Sequence, residues 1–346
     1  MSKRIGADTI ELTSRPRIAA WSASAGQKER EGPLGDTIDY VLEDDLLGQK
    51  TWELAEAAML RDTAFRCLDK TALKTRDVDI LLGGDLINQI MAVNLCAREL
   101  MIPLLGLYGA CSTMCEALAV GGMLADGGAA RRVLCAVSSH FSTAERQYRT
   151  PLEQGGQRPA SAQWTVTGAG ATLLCGSDYT PEGVIPAASL THATIGRVID
   201  YGVKDMANMG AVMAPAAADT LARHLSDTGR SADYYDEIIT GDLGKVGRGL
   251  MLALLDEKGV KVDAARVWDC GERIFSPEQD AHSGGSGCGC SAVVLNGYIL
   301  DRFARGELNR VALMATGALL NATSVLQGET IPGVAHLVVI EKEDAR

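Results

Sequence analysis

Two stretches of this sequence occur twice in the same order, and this repeat restricts the fold more than any other feature. DILLGGDL at residues 79 to 86 corresponds to DEIITGDL at residues 236 to 243, with Asp, Gly, Asp and Leu at matching places. RRVLCAVSS at residues 131 to 139 corresponds to NRVALMATG at residues 309 to 317, and a helical pattern of similar length precedes each. Self-similarity at long period indicates a duplicated fold with two equivalent halves.

The hydrophobic pattern within each half alternates between helices and short apolar strands. In the first half it predicts helices at 51–73, 88–100 and 112–125, and strands at 78–84, 103–109, 131–139 and 167–176. In the second half it predicts helices at 213–229, 246–259 and 290–306, and strands at 236–241, 264–272, 310–317 and 335–342. The fold class is therefore α/β, with a β-α-β-α-β-β order in each half. Turn-forming residues cluster near 176 to 184, so we expect an N-terminal half of residues 1–180 and a C-terminal half of residues 181–346.

Length and charge exclude several classes of protein. At 346 residues, with 47% hydrophobic and 22% charged residues, the chain fits a globular protein with a sizeable core. The net charge of -11 opposes whole-surface binding to nucleic acid or anionic lipid, because both carry negative charge. The N-terminus reads as no secretion signal, and no stretch reaches the roughly 18 apolar residues of a spanning helix. We therefore expect a cytoplasmic-type soluble protein without a nucleic-acid partner.

The nine cysteines are an odd number, which together with the missing export signal favours reduced thiols. Four lie within apolar periodic segments and are predicted to be small core residues: Cys67, Cys96, Cys135 and Cys175. The pairs Cys111/Cys115 and Cys288/Cys290 lack the spacing of zinc ligands, so no metal site is expected.

Cys111 follows a predicted strand and opens a predicted helix, within GLYGACSTMCEALAVGG at residues 106 to 122. Free backbone N–H groups and the helix dipole favour an anion at such a position, which predicts a lowered thiol pKa. Cys111 is then either a nucleophile, which also needs a base or an orienting partner, or a small residue that fills a tight corner. The local sequence leaves both interpretations open.

A duplicated α/β chain with a cysteine opening the central helix of its first half resembles the thiolase superfamily, which includes the ketoacyl synthases. Longer motifs, from about residue 106 to 320, resemble the stage V sporulation protein AD family: GACSTMCEAL, SSHFSTAERQYRTP, QWTVTGAGA, IGRVIDYGVKDMANMGAVMAPAAADT, ITGDLGKVG, GGSGCGCSAVV and LNRVALMATGALL. KEREGPLGD and GGDLINQ extend the likeness toward the N-terminus. The resemblance implies a thiolase-like fold whose two halves form a layered α-β-α-β-α arrangement.

Ketoacyl synthases bring a His, and an Asn or a second His, from the second half of the chain to the cysteine. The resemblance places the first of these where Gly241 and Asp242 stand, and the second between Ser286 and Cys290. Neither expected imidazole is present, and a carboxylate beside a thiol raises the thiol pKa. Cys111 is therefore expected to be a nucleophile position without its catalytic partners, and the chain is not expected to be an enzyme.

The five histidines are the remaining candidates for a base. Three lie in segments that read as strand or helix surface and are predicted to be structural: His192, His224 and His336. His140 follows the strand after the Cys111 helix, and His282 precedes the second expected catalytic position. Both are candidates for lining the pocket, or for satisfied loop histidines.

The resemblance implies a role in spore formation, as a noncatalytic binding protein for dipicolinic acid (pyridine-2,6-dicarboxylic acid), usually as its calcium chelate. A flat aromatic dianion needs a slot with convergent donors, which backbone N–H groups at Cys111 to Thr113 and arginine side chains offer. The candidate ligand-binding residues are Cys111, Ser112, Ser138, Ser139, His140, Arg146, Arg149, Arg197, Asp242 and His282. No cofactor is expected beyond Ca²⁺ carried with the ligand. Because the chelate is formally neutral, calcium is expected to improve apparent binding.

The resemblance also implies partners. These are membrane proteins of the same sporulation operon, with a peripheral place on the spore inner membrane, and a second copy that pairs through PLLGLYG. Residues 22 to 50 are too irregular to assign, and a loop over the pocket mouth is one interpretation. Two other functions stay open: a thiolase-type acyltransferase that uses Cys111 with His140 or His282 as base, and a purely structural adaptor.

Overall fold

The computed structural model describes residues 2–148 and 158–343. The strands of the first half are β1 (Lys3–Ile5), β2 (Thr9–Glu11), β3 (Arg17–Ala25), β4 (Tyr40–Val41), β5 (Ile80–Gly84), β6 (Leu104–Gly106), β7 (Arg132–Ser139), β8 (Trp164–Thr165) and β9 (Gly168–Cys175). Its helices are α1 (Gln27–Arg30), α2 (Trp52–Asp69), α3 (Met91–Leu100), α4 (Thr113–Asp126) and α5 (Phe141–Tyr148).

The second half repeats this alternation of strands and helices. Its strands are β10 (Ala188–Thr194), β11 (Glu237–Thr240), β12 (Val267–Asp269), β13 (Gly285–Ser286), β14 (Arg310–Ala318) and β15 (Gly333–Lys342). Its helices are α6 (Met209–Thr228), α7 (Gly244–Glu257), α8 (Cys270–Ile274), α9 (Cys288–Val294), α10 (Leu300–Ala304) and α11 (Ala322–Leu326), with a π-helical segment, Leu295–Ile299, between α9 and α10.

A sheet runs through the molecule in the order β12-β11-β14-β15-β10-β3-β9-β7-β5-β6. In the first half β6, β5 and β7 are parallel, and β9 and β3 follow in antiparallel fashion. In the second half β12, β11 and β14 are parallel, and β15 and β10 follow in the same way. The two leaves join where β3 and β10 pair, with Ile18 opposite Ala188 and Arg17 opposite Ser189. The matching strand order of the leaves is the duplication that the repeated stretches predict.

Helices cover both faces of each leaf. Helices α4 and α9 pack between the leaves, α2 and α3 pack on the outer face of the first leaf, and α6 and α7 lie outside the second. A central apolar cluster fills the space around α4 and α9, and a further cluster lies beneath each outer layer of helices. The arrangement is the layered α-β-α-β-α architecture. Within the described ranges, no helix is long and apolar enough to cross a membrane.

Each half contains a central strand that the hydrophobic pattern did not predict, β3 in the first half and β10 in the second. Their sequences, RIAAWSASA and ASLTHAT, are rich in Ala, Ser and Thr and contain few of the large β-branched residues that favour strands. Both strands are almost entirely buried because helices pack closely on them, α2 and α9 on β3 and α4 on β10. Close helix packing therefore selects small side chains and hides the strand signal.

The cysteines predicted to be core residues, Cys67, Cys96, Cys135 and Cys175, are buried free thiols. The expectation of a surface place is wrong for His192 and His224, which are both buried. The imidazole of His224 lies 2.7 Å from the hydroxyl of Thr194 and 2.5 Å from that of Tyr235, and burial lowers its pKa to about 3. These hydrogen bonds hold α6 against the second leaf.

Candidate functional site

Cys111 lies in a short 3₁₀ turn, Ala110–Ser112, that connects β6 to α4. Ala110 adopts a left-handed conformation with φ of 51°, which is uncommon for a residue other than glycine. The N–H of Ser112 donates to the carbonyl of Gly109, and that of Thr113 donates to the carbonyl of Ala110. These two N–H groups are used within the turn, so the expectation that they wait for a ligand carboxylate is wrong.

Asp242 follows β11 and reaches the thiol of Cys111 from the second half of the molecule. The Cys111 thiol interacts with the Asp242 carboxyl, and each shifts the pKa of the other. The hydroxyl of Thr316, in β14, donates to Asp242 Oδ1 at 2.8 Å, and the N–H of Gly287 donates to Oδ2 at 3.1 Å. Asp242 is 1% exposed, so this carboxyl is held in a buried site by two uncharged donors.

The sequence GGSGCGC provides one of those donors because Gly287 has a backbone conformation with φ of 97°. A Cβ atom at this position would also lie 2.7 Å from the Ser139 hydroxyl. Glycine is therefore required where the chain turns into α9, and this turn directs the Gly287 N–H toward Asp242.

Burial determines the protonation of this pair. Burial raises the pKa of Asp242 to about 7, and the nearby Asp269 carboxylate adds to the rise, while the interactions with Cys111 and Thr316 oppose it. Burial and then the Asp242 charge raise the pKa of the Cys111 thiol well above its usual value. The predicted lowering of the thiol pKa by the helix start is therefore wrong, since loss of solvent outweighs the dipole. The predicted effect of a neighbouring carboxylate is confirmed.

A pocket of about 550 Å³ opens onto Cys111 and Asp242. Its apolar lining consists of Leu86, Ala110, Ala144, Met209, Met213, Ala318 and Leu320. Its polar lining consists of Cys111, Glu145, Tyr148, Thr165, Asp242 and Ser286. None of these described lining residues is a histidine, lysine or arginine.

The three serines predicted for the site are buried and hydrogen-bonded elsewhere. Ser112 donates to the carbonyl of Gly109 at 2.6 Å. Ser138 donates to the Glu56 carboxyl at 3.1 Å, and Ser139 donates to the carbonyl of Val166 at 2.7 Å. The pattern does place Ser138 and Ser139 next to the site, but the register of β7 turns their side chains away from the pocket.

Neither candidate histidine lines the pocket. His140 is buried, its Nε2 lies 2.8 Å from the carbonyl oxygen of Asp45, and its Nδ1 accepts from the N–H of Ser142. Burial lowers its pKa, so the ring is neutral. His282 borders a different, more open cavity of about 700 Å³, with Nε2 3.6 Å from the Asp280 carboxylate. Neither is placed to remove a proton from Cys111.

The predicted arginines are also outside the described pocket lining. Arg146 forms an ion pair with Glu53, and Arg197 pairs with Asp8 at 3.0 Å on the far side of β10. Arg149 lies outside the described residues. Of the ten predicted ligand-binding residues, the structure thus brings together Cys111 and Asp242.

The sequence did not predict several residues of the site. Thr316 and Gly287 hold the Asp242 carboxyl, while Tyr148, Met209 and Met213 form walls of the pocket. All five lie inside motifs that carry the family resemblance, so the motifs marked the right segments without assigning side-chain roles. Pairing of β8 with β13 then places Thr165 opposite Ser286 at the pocket wall.

Residues 22 to 50 do not form a loop over the pocket. They continue β3, form α1 and pair β4 with β3, and none of them lines the pocket. Asp39 accepts from the N–H of Ala23, and the buried Glu29 carboxyl accepts from the N–H of Thr167. The segment is irregular because its polar side chains bind backbone groups.

The sequence itself matches a family model along almost its whole length. The model of stage V sporulation protein AD (SpoVAD) matches residues 6–341. The chain belongs to the stage V sporulation protein AD family. It is 47% identical over 319 residues to the stage V sporulation protein AD of Bacillus subtilis (strain 168), covering 92% of each chain. The protein is therefore a sporulation protein.

Solved structures similar to this one have the thiolase fold. A 3-oxoacyl-[acyl-carrier-protein] synthase III from Aquifex aeolicus VF5 aligns with a TM-score of 0.57 and 12% identity, over 94% of this chain and 99% of its own. Human mitochondrial 3-ketoacyl-CoA thiolase aligns with a TM-score of 0.59 and 13% identity, over 96% of this chain and 100% of its own. At such low identity the likeness concerns the fold, and it confirms the expected thiolase-like α/β class.

Proposed function

We propose that this sporulation protein binds dipicolinic acid in the Cys111 pocket, free or as its calcium chelate, and assists its uptake into the developing spore without changing it chemically. The observation that carries the proposal is the pocket itself. It retains the thiol at the nucleophile position, and it has a carboxyl group and a glycine N–H where condensing enzymes need imidazole or amide side chains. Such a site suits binding better than acyl transfer.

The lining of the pocket matches a small aromatic diacid. Met209, Met213 and Leu320 offer apolar surfaces for the two faces of a flat ring, and methionine sulfur makes favourable contacts with aromatic rings. Thr165, whose hydroxyl can donate, and the protonated form of Asp242 offer hydrogen bonds to carboxylate oxygens at the polar end. The pocket thus combines apolar walls with a few polar groups, as small-molecule sites do.

Charge favours the chelate over the free diacid. The chain has a net charge of -11, and Asp242 and Glu145 both lie at the pocket. A free dianion meets repulsion from these charges, whereas a one-to-one calcium chelate is formally neutral. Calcium is therefore expected to tighten apparent binding, and added salt is expected to help the free acid more than the chelate. Weaker binding in calcium would contradict this charge argument.

Isothermal titration tests the proposal, with dipicolinic acid titrated into the protein with and without calcium. The informative variant is Leu320→Trp, because Leu320 is half-buried and lines the pocket, so a larger side chain there obstructs it. Its matched control is Leu326→Trp, since Leu326 lies in the same segment, is 89% exposed and does not line the pocket. Saturable heat that only Leu320→Trp weakens, at least tenfold, supports the proposal. Absence of heat in the wild type under every condition overturns it.

One observation favours a second candidate function, acyl transfer. Cys111 and Asp242 line the same pocket and interact, and the Asp242 pKa of about 7 suits a general base near neutral pH. In such a step the Cys111 sulfur attacks the carbonyl of an acyl-CoA, Asp242 takes the thiol proton, and the CoA thiolate leaves and takes up that proton. Mass spectrometry after incubation with acetyl-CoA distinguishes the two functions. An acetyl adduct on the wild type that is missing from Cys111→Ala would replace the binding proposal with a transferase.

The partner proposals concern the edge of the sheet and the membrane. Strand β6 ends the first leaf, and three large apolar residues near it are exposed: Met101, Leu105 and Tyr108. A second copy that pairs along β6 buries this edge, so light scattering is expected to show a dimer that Leu105→Asp converts to a monomer. Uptake needs membrane proteins of the same operon, and their co-purification with this chain from sporulating cells tests that part.

A further inference from the structure

Asp242 differs from an ordinary binding-site carboxylate in its partners. Thr316 and Gly287 donate to it, both without net charge, and Asp242 forms no ion pair with any residue of the described ranges. Because it lines the pocket, a ligand carboxylate at the polar end lies next to it. Two carboxylates in contact in a buried place cannot both stay ionised, since like charges raise each other's pKa. One proton shared between them removes the repulsion and adds a strong hydrogen bond.

Among the titratable groups at this site, Asp242 is the one that takes up the proton. They comprise thiols and carboxyls: Cys111, Cys270, Cys288, Cys290, Asp269 and Glu145. Burial raises the pKa of all four thiols, which therefore stay protonated near neutral pH. The Tyr148 phenol is protonated for the same reason. Asp269, with a pKa of about 6, binds the Thr240 hydroxyl and backbone N–H groups at the start of α7, and it does not line the pocket.

We propose that binding of a free carboxylate ligand in this pocket is coupled to uptake of one proton by Asp242, which then donates a hydrogen bond to the ligand. The inference rests on the proposed function and specifies how the site tolerates an anion without a cationic partner on its described walls. Asp242 thereby selects for carboxylates, because a neutral ligand of the same shape gains nothing from the proton. The site also becomes sensitive to pH, with tighter binding at lower pH.

The size of the effect follows from the population of the competent form. When only protonated Asp242 accepts the ligand, the apparent Kd equals the intrinsic Kd divided by the protonated fraction. With an Asp242 pKa of about 7, that fraction is about 0.9 at pH 6 and about 0.1 at pH 8. Affinity for the free diacid is therefore expected to fall about tenfold from pH 6 to pH 8. The carboxyls of the ligand stay ionised throughout this range, so they do not contribute.

Calorimetry of sodium dipicolinate measures the coupling. The titration is run without calcium, in EGTA, at pH 6, 7 and 8, in phosphate and in Tris, whose ionisation enthalpies differ. The wild type is expected to take up about 0.1, 0.5 and 0.9 protons at the three pH values, as the competent fraction dictates. Asp242→Asn, which is neutral throughout and keeps an amide donor, is expected to bind with the wild-type affinity of pH 6 at every pH and to take up no proton.

A second pair of variants separates this role from a structural one. Thr316→Val removes a hydroxyl that stabilises ionised Asp242, so the pH at which affinity is half lost is expected to move upward. Ser138→Ala removes the hydroxyl at the matching position of the first half, which donates to Glu56 instead, and is expected to leave that pH unchanged. An affinity without pH dependence, net proton release, or a pH dependence that survives in Asp242→Asn overturns the inference while leaving binding itself intact. Absence of heat at every pH in every variant instead removes the proposed function.

Discussion

Cys111 and Cys288 lie near the starts of α4 and α9, the central helices of the two halves. The surroundings of Cys288 are filled by side chains, whereas Cys111 borders a pocket. Cys288 begins α9, Cys111 lies two residues before α4, and the Cys288 thiol donates to the carbonyl oxygen of Ser138 at 3.0 Å. The Glu56 carboxyl beside it accepts from the hydroxyls of Ser138 and Thr143, at 3.1 and 2.7 Å. Cys288 is fully buried, whereas Cys111 borders a pocket of about 550 Å³.

The outer helices α2 and α6 carry different side chains at the same position, next to Cys288 and to the Cys111 pocket respectively. Glu56 is the fifth residue of α2, and Met213 is the fifth residue of α6. The carboxyl of Glu56 fills the end of the first half with hydrogen bonds to β7 and α5. Met213 offers no strong donor or acceptor, and its side chain forms a wall of the pocket instead.

Asp85 and Asp242, which follow β5 and β11 in the two halves, also differ in the groups that they bind. Asp85 accepts backbone N–H groups of Ile87 and Val93, at 2.7 and 2.8 Å, and so stabilises the turn into α3. In the second half Asp269 binds the N–H groups of the turn into α7, and Asp242 is left to face Cys111. The two halves of this duplicated fold therefore differ at matching positions because Asp242, unlike Asp85, does not bind N–H groups at the start of the helix that follows it.

The largest expected effect comes from replacing each repeated aspartate with asparagine. Folded Asp242 has a pKa of about 7 against a usual value near 4, so the folded chain holds a proton that the unfolded chain has lost between these pH values. Wild-type stability therefore falls as pH rises from about 4 to about 7, and Asp242→Asn lacks this loss. Relative to wild type, the variant is expected to gain about 4 kcal/mol between pH 4 and pH 8.

Burial also raises the pKa of Asp85, to about 6, but the loss of a backbone acceptor is expected to outweigh this, so Asp85→Asn is expected to act in the opposite sense. Its two N–H donors reach different oxygens of the carboxyl, so an amide leaves one donor facing an NH₂ group. The free energy of unfolding is expected to fall by about 2 kcal/mol at pH 7. Urea denaturation across pH measures both variants. Changes of the same sign at pH 8 would contradict the difference between the two aspartates.

A smaller effect is expected when Met213, the fifth residue of α6, is replaced by glutamate, the residue type at the fifth position of α2. Met213→Glu places a second carboxyl near Asp242 without the hydroxyl partners that Glu56 has. We expect a loss of about 2 kcal/mol at pH 8, with less at pH 5 where the new carboxyl is protonated, and loss of dipicolinate binding. Met213→Gln is the uncharged control. Equal stability losses at pH 5 and pH 8 would show that charge is not the cause.

The smallest difference is expected where the halves still agree. Asp79 accepts from the N–H groups of Arg131 and Arg132, and Asp236 accepts from those of Asn309 and Arg310, which in both halves fixes the start of a central strand. Asp79→Ala and Asp236→Ala are each expected to cost about 1 kcal/mol because two N–H donors lose their acceptor, and Asp79→Ala slightly more because the Arg132 side chain also pairs with Asp79 at 3.0 Å. Thermal denaturation compares them, and a gap above about 1 kcal/mol would mean that this position has diverged too.

The sequence predicts the fold better than it predicts the site, and the reasons are physical. Repeated stretches mark β5, β7, β11 and β14, whose continuous apolar runs are typical of strands buried on both faces. The meeting of Cys111 with Asp242 follows from the family resemblance. The pKa of Cys111 could not be predicted, because it depends on burial, which the complete packing determines.

Side-chain direction limits the remaining predictions. Ser138 and Ser139 stand at the end of β7 as expected, but they bind Glu56 and Val166, groups whose positions no local pattern reveals. Arg197 follows a strand that the pattern did not predict, so its place near Asp8 could not be foreseen. Residues near a site in sequence thus become members of the site only when the strand register directs them there.

A crystal structure with dipicolinate, grown at pH 6 without calcium, tests most directly whether the open end is a ligand site. We predict the aromatic ring between Met213 and Leu320, with one carboxylate within hydrogen-bond distance of Asp242 and no covalent bond to Cys111. Electron density for the ligand only in the cavity beside His282, or an acyl group on Cys111 after exposure to acyl-CoA, would contradict a binding site created from the old nucleophile position.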